Sequence, residues 1–240
     1  MFPYDVQLLG AVETIPAAIP DVVHIMQTID ATCAIGDGLK WFNGLYLQVT
    51  QAVASRIAAG GFTDGAWLAL LDVEFAKLYF DALKTSLSGQ TTPECWQILF
   101  ERRNQVPIAR IQFALAGVNA HIDHDLPEAI VNTCALSGSG PVRGSLHYVD
   151  YTNLNSTLDS LIETAKKELN VRLLGDALPA FSRLEDTIAA WSVSAAREAA
   201  WQSAEHIRAL RTLGPLEEGY MEMLDGFTTV IGKTLLVPVP

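Results

Sequence analysis

The sequence predicts an all-α protein, a single globular multi-helix domain over residues 1–240 with a polar site buried between its helices. Three observations carry that prediction. Apolar residues recur at three- and four-residue spacing through most of the chain, which lines one face of a 3.6-residue helix. Ala, Leu, Gln and Glu are plentiful and apolar–polar alternation is brief, so strand patterns are scarce. Half of the 240 residues are hydrophobic and 18% are charged, enough apolar mass for a substantial core.

The elements follow in order. In "DGLKWFNGLYLQVTQAVASRIAAG", Trp41, Leu45, Val49, Val53 and Ile57 form a helical stripe, with Asp37 as its cap and Gly60-Gly61 as its stop. In "TDGAWLALLDVEFAKLYFDALKTSLSG", Asp64 caps a stripe of Trp67, Leu71, Phe75, Tyr79 and Leu83 that Gly89 closes. "TTPECWQILFERR" reads as a capping box, with Thr91 as N-cap, Glu94 at the third helical position and Pro93 in the first turn. "IARIQFALAGVNAHIDHD" is expected to be a buried helix, with a break or a new helix start at Pro127. "LSGSGPVRGS" is a loop, and residues 137–144 are the lobe boundary if there are two lobes. Beyond it, "DYTNLNSTLDSLIETAKKELN" reads as one helix and "LPAFSRLEDTIAAWSVSAAREAAWQSAEHIRALRTLG" as a long one. The tail "TTVIGKTLLVPVP" is the best strand candidate, and its prolines suit an extended arm equally well.

Lys and Arg total 16 against 27 Asp and Glu, a formal charge of -11 and a pI near 4.8. Such a balance repels phosphate backbones and anionic lipid, so neither nucleic acid nor a membrane is an expected partner. The cysteines, Cys33, Cys95 and Cys134, are odd in number and far apart, which fits reduced thiols and a cytoplasmic location. "MFPYDVQLLG" has no basic segment leading into an apolar one, and no apolar run reaches membrane-spanning length. The expected partner is a small-molecule substrate, with a homodimer left open.

The chemistry concentrates in "NAHIDHDLPEAI", Asn119 to Ile130. On a helix, His121, His124 and Asp125 share one face and Asp123 points elsewhere, to solvent. A histidine and a carboxylate four residues apart offer one imidazole nitrogen and one hard oxygen to a divalent ion such as zinc, manganese or iron. Alternatively, Asp125 orients and charge-stabilises His121 as a general base. The plain alternative is a pair that hydrogen-bonds internally or caps the helix beginning near Pro127. Because the preceding "IQFALAGV" is apolar, the cluster emerges into an interior, where unpaired imidazole and carboxylate are costly.

Asp72 shares a face with Phe75 and Tyr79 and is the candidate fourth ligand or acid–base partner, unless it pairs with Arg102, Arg110 or Arg197. Tyr46 and Tyr79 are core aromatics whose hydroxyls need partners, and both are candidate substrate contacts. Arg197, one turn before Trp201, meets either a substrate carboxylate or an internal acid. His147 reads as a surface residue beside a helix-capping Asp150, and His24 and His206 as structural or surface residues. Absent are a G-x-S-x-G elbow, a P-loop, a G-x-G-x-x-G turn and the paired ExxH segments of a di-iron bundle. Nothing near Cys134 would lower its pKa, so no nucleophilic role is expected.

"DGLKWFNGLYLQVT", "LLDVEFAKLYFDAL" and "LAGVNAHIDHDLPEAI" together resemble the DUF5995 family, of undefined function, over roughly residues 20 to 205. The resemblance implies that His121 and Asp125 belong to the family's motif, with Asn119, Asp72 and Asp37 as further members. Asn119 thereby joins the candidate substrate contacts. HxxxD followed by proline is also similar to the zinc-binding "HxxGDxxQP" helix of all-α phospholipase C and nuclease proteins, which implies ligand roles for His121 and Asp125. Here His124 replaces the glycine, and no histidine follows the proline.

The expected function is an enzyme acting on a small, largely apolar metabolite. One form is a metal-dependent hydrolase or lyase with His121, His124, Asp125 and Asp72 as ligands. Another is a metal-free acid–base cyclase or isomerase of a polyketide- or terpenoid-like compound. A third is a non-catalytic ligand-binding bundle whose polar cluster sets helix register.

Overall fold

The computed structural model describes residues 2–169 and 192–238, and every regular element among them is helical. Helices α1 (Asp5–Val12) and α2 (Ile19–Thr32) precede two long ones, α3 (Gly38–Ala58) and α4 (Gly65–Leu87). Both long helices start where the sequence places their caps: Asp37 accepts the Leu39 N–H and Asp64 the Trp67 N–H, each at 2.9 Å. Both end at glycines with left-handed backbone, Gly60 at φ 69° and Gly89 at φ 68°.

Helix α5 (Glu94–Arg102) starts later than the capping-box reading requires. Its N-cap is Pro93, which has no side-chain acceptor, so Thr91 does not cap it. The Glu94 and Cys95 N–H groups donate instead to the carboxylate of Asp225, both at 2.9 Å. A residue about 130 positions away in sequence thus does the capping.

Helix α6 (Arg110–Asn119) runs through a wide π turn (Ala120–Asp125) into α7 (Leu126–Leu136), so Pro127 stands in the first turn of a new helix, as expected, without a break in the chain's helical path. Beyond the 137–144 loop, the segment expected as one helix is two, α8 (Leu146–Asn153) and α9 (Asn155–Leu169), separated at Leu154. Of the stretch expected as one long helix, the described residues form α10 (Val193–Leu210), which begins afresh after Ser192, an N-cap with extended backbone. The earlier part, including Ile188 and Trp191, lies outside the described residues.

The tail is the clearest departure. Residues 228–235 of the stretch expected as strand or arm belong to helix α11 (Pro215–Leu235), which follows a short 3-10 turn, Arg211–Leu213; residues 236–238 leave the helix. Its β-branched run disfavours a helix only mildly. Burial of Thr228, Thr229, Gly232 and Leu235 against α5 and α6 outweighs that preference.

Helix α3 lies along α6, α7 along α10, and α11 across α5 and α6. One apolar cluster runs from Leu8 to Leu236 and draws on both sides of the 137–144 loop. The π turn touches α4, α5, α10 and α11, which places the polar motif at the centre of the bundle. No helix among the described residues is long and apolar enough to cross a membrane.

Candidate active site

Pro127 dictates the local backbone. It has no N–H for the carbonyl of Asp123, and its ring would crowd that carbonyl in a regular α-helix. The chain widens instead, and the Leu126 N–H reaches back to the carbonyl of His121, five residues away. The three predicted side chains still converge on this turn, though by a route other than α-helical spacing.

Asp125 is the hub. Its Oδ2 accepts from His121 Nδ1 and from Trp96 Nε1, each at 2.9 Å, and its Oδ1 accepts from His124 Nδ1 at 2.7 Å. Burial pushes its carboxyl up, but the bonds to His121 and His124 outweigh that and hold it below the usual range. Burial also pulls His124 down, yet its bond to Asp125 and the charges of Asp125, Asp225 and Glu128 leave it raised. For His121, burial wins over Asp125, and the ring is held below its ordinary value. At neutral pH the cluster therefore holds an Asp125 carboxylate and a neutral His121, with His124 the more basic of the two imidazoles. Because a carboxylate only accepts, His121 carries its proton on Nδ1, which leaves Nε2 as a bare base.

Aromatic rings fix that base. Phe75 stacks on the His121 ring at 3.4 Å between centroids and 5° between planes, and Tyr46 meets it edge-on at 4.5 Å. The Nε2 atom is buried and has no hydrogen-bond partner. Nor has Oδ2 of Asp72. Buried polar atoms without partners are few in folded proteins, and each costs roughly 1–3 kcal/mol. Burial pushes the Tyr46 phenol well up, and the charges of Asp72 and Asp125 add to this, so both carboxylates lie close to it. Desolvation alone raises Asp72 to about 7.

His121, Tyr46 and Arg197 also line a cavity of about 60 Å³ whose surface is almost wholly apolar, walled by side chains such as Phe42, Leu45, Phe75 and Ile162. Arg197 lies over the Tyr151 ring at 3.8 Å and donates to Asn155 Oδ1 and to the Tyr151 carbonyl.

Other expected site residues stand elsewhere. Asn119 donates to the Thr228 carbonyl at 2.9 Å and ties α6 to α11. Tyr79 donates to Asn43 at 3.3 Å, away from the cavity wall. Asp72 forms no ion pair with Arg102, Arg110 or Arg197: Arg102 donates to the Leu236 carbonyl, Arg110 lies over Trp41, and Arg197 turns to Asn155. Asp37 faces Arg103 at 3.7 Å besides capping α3. Asp123 points outward as expected but is only partly exposed, and desolvation raises it to about 6. Asp150 does not cap its own helix, which Ser145 does; it accepts the Thr63 and Asp64 N–H groups. His147 pairs with Asp64 and stacks on Trp67.

Trp96, which anchors Asp125, went unseen in the sequence because nothing in "ECWQILF" distinguishes an indole that meets a carboxylate from a core tryptophan. The same holds for a trio on the far side of His124. Among the described residues, Cys95, His124 and Asp225 are the group whose donor atoms all lie within 4.8 Å of one another. That set shares only His124 with the predicted ligands. Burial, and then the charge of Asp125, pushes the Cys95 thiol up.

A match to a family of unknown function, DUF5995, extends over residues 19–238 and so takes in α2 to α11 and the whole cluster. The chain belongs to DUF5995. No curated protein and no solved structure matches it. Within this DUF5995 chain the motif residues His121 and Asp72 each keep a buried polar atom without a partner, as does Asn119 at its Oδ1, while Asn119 through its amide and Asp37 hold helices together.

Proposed function

We propose that this DUF5995 protein is an enzyme that moves protons on a small, largely apolar metabolite, with the Nε2 of His121 as general base. One observation carries the reading: a buried imidazole nitrogen without a partner, its tautomer set by Asp125, belongs to a residue that lines an apolar cavity. In the forward step Nε2 takes a proton from the substrate, and the imidazolium that forms is stabilised by the Asp125 carboxylate. Asp72, raised to about 7, does not line the cavity itself and is the candidate acid through Tyr46, which lines it and feels the Asp72 charge. Isomerisation, elimination and cyclisation all fit that pair of roles.

The hydrogen bonding favours this metal-free form, because both oxygens of Asp125 are engaged by His121, His124 and Trp96. The metal-dependent hydrolase or lyase has its own support in Cys95, His124 and Asp225, where the Asp125 bond to Nδ1 leaves Nε2 of His124 to bind an ion. Elemental analysis separates the two. Near-stoichiometric zinc, manganese or iron that is lost in Cys95→Ser would favour the metal form.

The base is tested by ¹⁵N NMR of the histidine side chains at pH 7. His121 is expected as the Nδ1–H tautomer with an unprotonated Nε2, and an Nε2–H tautomer or an imidazolium would overturn the assignment. Screening carbonyl and hydroxy compounds for deuterium uptake from solvent supplies the activity. Its loss in His121→Gln is expected at ~10²–10⁴-fold with the helical circular dichroism unchanged.

A further inference from the structure

We infer that the cavity takes a short-chain carboxylic acid, with its carboxylate on Arg197 and its acyl chain against His121. The inference rests on the cavity being the substrate site, as proposed above.

Arg197 is 5% exposed, more buried than any other arginine in the described residues except Arg103, which is equally so. Arg103 has its counter-charges in Asp5 and Asp37, and even the half-exposed Arg143 pairs with Glu198. Arg197 forms no such pair among the described residues. Its direct partners are an amide oxygen, a carbonyl and a ring face, all uncharged. The nearest acid that acts on it, Asp159, does so only at a distance and accepts the Ser194 hydroxyl. A buried cation with polar but neutral partners is unfavourable until an anion reaches it.

The guanidinium has five N–H donors, and the two hydrogen bonds to Asn155 and Tyr151 leave donors for a ligand. Those bonds also hold the planar fork in place, which suits a carboxylate accepting two parallel bonds. A formal charge of -11 gives no long-range attraction for an anion, so selectivity has to come from this local contact. The rest of the wall is hydrocarbon and aromatic. A volume of about 60 Å³ is less than half of the ~150 Å³ apolar cavity that admits benzene in another protein, which limits the acyl chain to roughly three or four carbons.

Butyrate and isovalerate are the probes, with butyramide and butanol as uncharged counterparts, read by calorimetry and thermal shift. Saturable binding of the acids is expected, at least tenfold tighter than the amide or alcohol. Arg197→Gln is expected to abolish the preference for the acids, and His121→Gln to keep it. Equal affinity for acid and amide in the wild type, or no acid binding up to 50 mM, would overturn the inference without any variant having to fold. Acid binding without His121-dependent turnover would sink the acid–base reading and leave the carboxylate site standing. Turnover without acid preference would do the reverse.

A different observation, on α11, carries a second inference. Leu216, Tyr220, Met223, Phe227, Val230 and Thr234 alternate at four- and three-residue spacing, the pattern of a coiled-coil seam. Phe227, Val230, Leu216 and Met223 are 66%, 63%, 59% and 44% exposed. The geometry points to a second copy of this chain, packed antiparallel on the seam. Leu216 then meets Thr234 and Met223 meets Phe227, while Val230 comes opposite Tyr220, whose ring packs on His206 and whose hydroxyl bonds to Ser203 of its own chain. The charges agree: Glu217, Glu218 and Glu222 crowd one end and Lys233 stands at the other, so antiparallel packing brings each lysine to the acidic end of its mate. Sedimentation equilibrium is expected to find a dimer at tens of micromolar, and a monomer in Phe227→Glu with unchanged helicity. A monomeric wild type at 100 µM, or a dimeric Phe227→Glu, would refute it.

Discussion

Replacing Asp72 by Asn should remove a pH dependence of stability that the wild-type protein carries between pH 5 and pH 8. In the folded protein the Asp72 carboxyl is raised from 3.8 to about 7, and desolvation is the cause. The folded value lies above the unfolded one, so the group's stabilising contribution is complete below about 3.8. It is lost as the pH rises, and the loss levels off above about 7. At 1.36 kcal/mol per pH unit, holding the ionised carboxyl in place costs roughly 4 kcal/mol. Between pH 5 and pH 8 the loss is about 2–3 kcal/mol. Asn does not titrate, so the melting temperature of Asp72→Asn minus that of the wild type should climb by roughly 5–10 °C over this interval. Differential scanning calorimetry in half-unit pH steps reads the difference directly. Using the difference matters, because burial also raises Asp37, Asp123 and Glu128 and tilts both curves alike. Parallel curves would mean that Asp72 is solvated or paired, and would remove it from any acid–base role.

Three further substitutions test the supports of the site. Trp96→Phe leaves the buried Asp125 carboxylate one donor short, with an expected loss of roughly 1.5–3 kcal/mol in denaturant titration; an unchanged midpoint would show that the indole bond is dispensable. Asp225→Ala strips the cap from α5 and should cost about 1–2 kcal/mol, with faster hydrogen exchange at Glu94 and Cys95. Gly117→Ala puts a Cβ 2.3 Å from the Phe42 ring, which packs edge-on against His121 at 5.8 Å between centroids. Since that ring is enclosed, roughly 1–3 kcal/mol of overpacking is expected, and an unperturbed stability would show that the ring can shift.

The helical fold was legible wherever a cap and a periodic stripe coincided. Asp37 and Asp64 start α3 and α4 as their residue types require, because an N-cap bonds within its own first turn. Reading failed where a distant partner replaced a local one. The Thr91 box yielded to Asp225, and the β-branched tail became helix because α5 and α6 bury one side of it. The candidate site divides in the same way. His121, His124 and Asp125 were legible as a group because they lie within one turn. Trp96, the Cys95–Asp225 neighbourhood and the missing counter-charge of Arg197 were not.

By itself, the sequence determined that this chain is helical and where its imidazole and carboxylate groups would cluster, since backbone period, caps and the effect of Pro127 all act over a few residues. Only the tertiary structure decided which of those groups are paired and which are left with an open hydrogen-bonding valence. Pairing inside a bundle depends on how neighbouring helices are turned and how far they have slid, and such contacts join residues as far apart as Trp96 and Asp125 or Cys95 and Asp225. The bare nitrogen of His121, the lone charge of Arg197 and the raised carboxyl of Asp72 are all products of that packing.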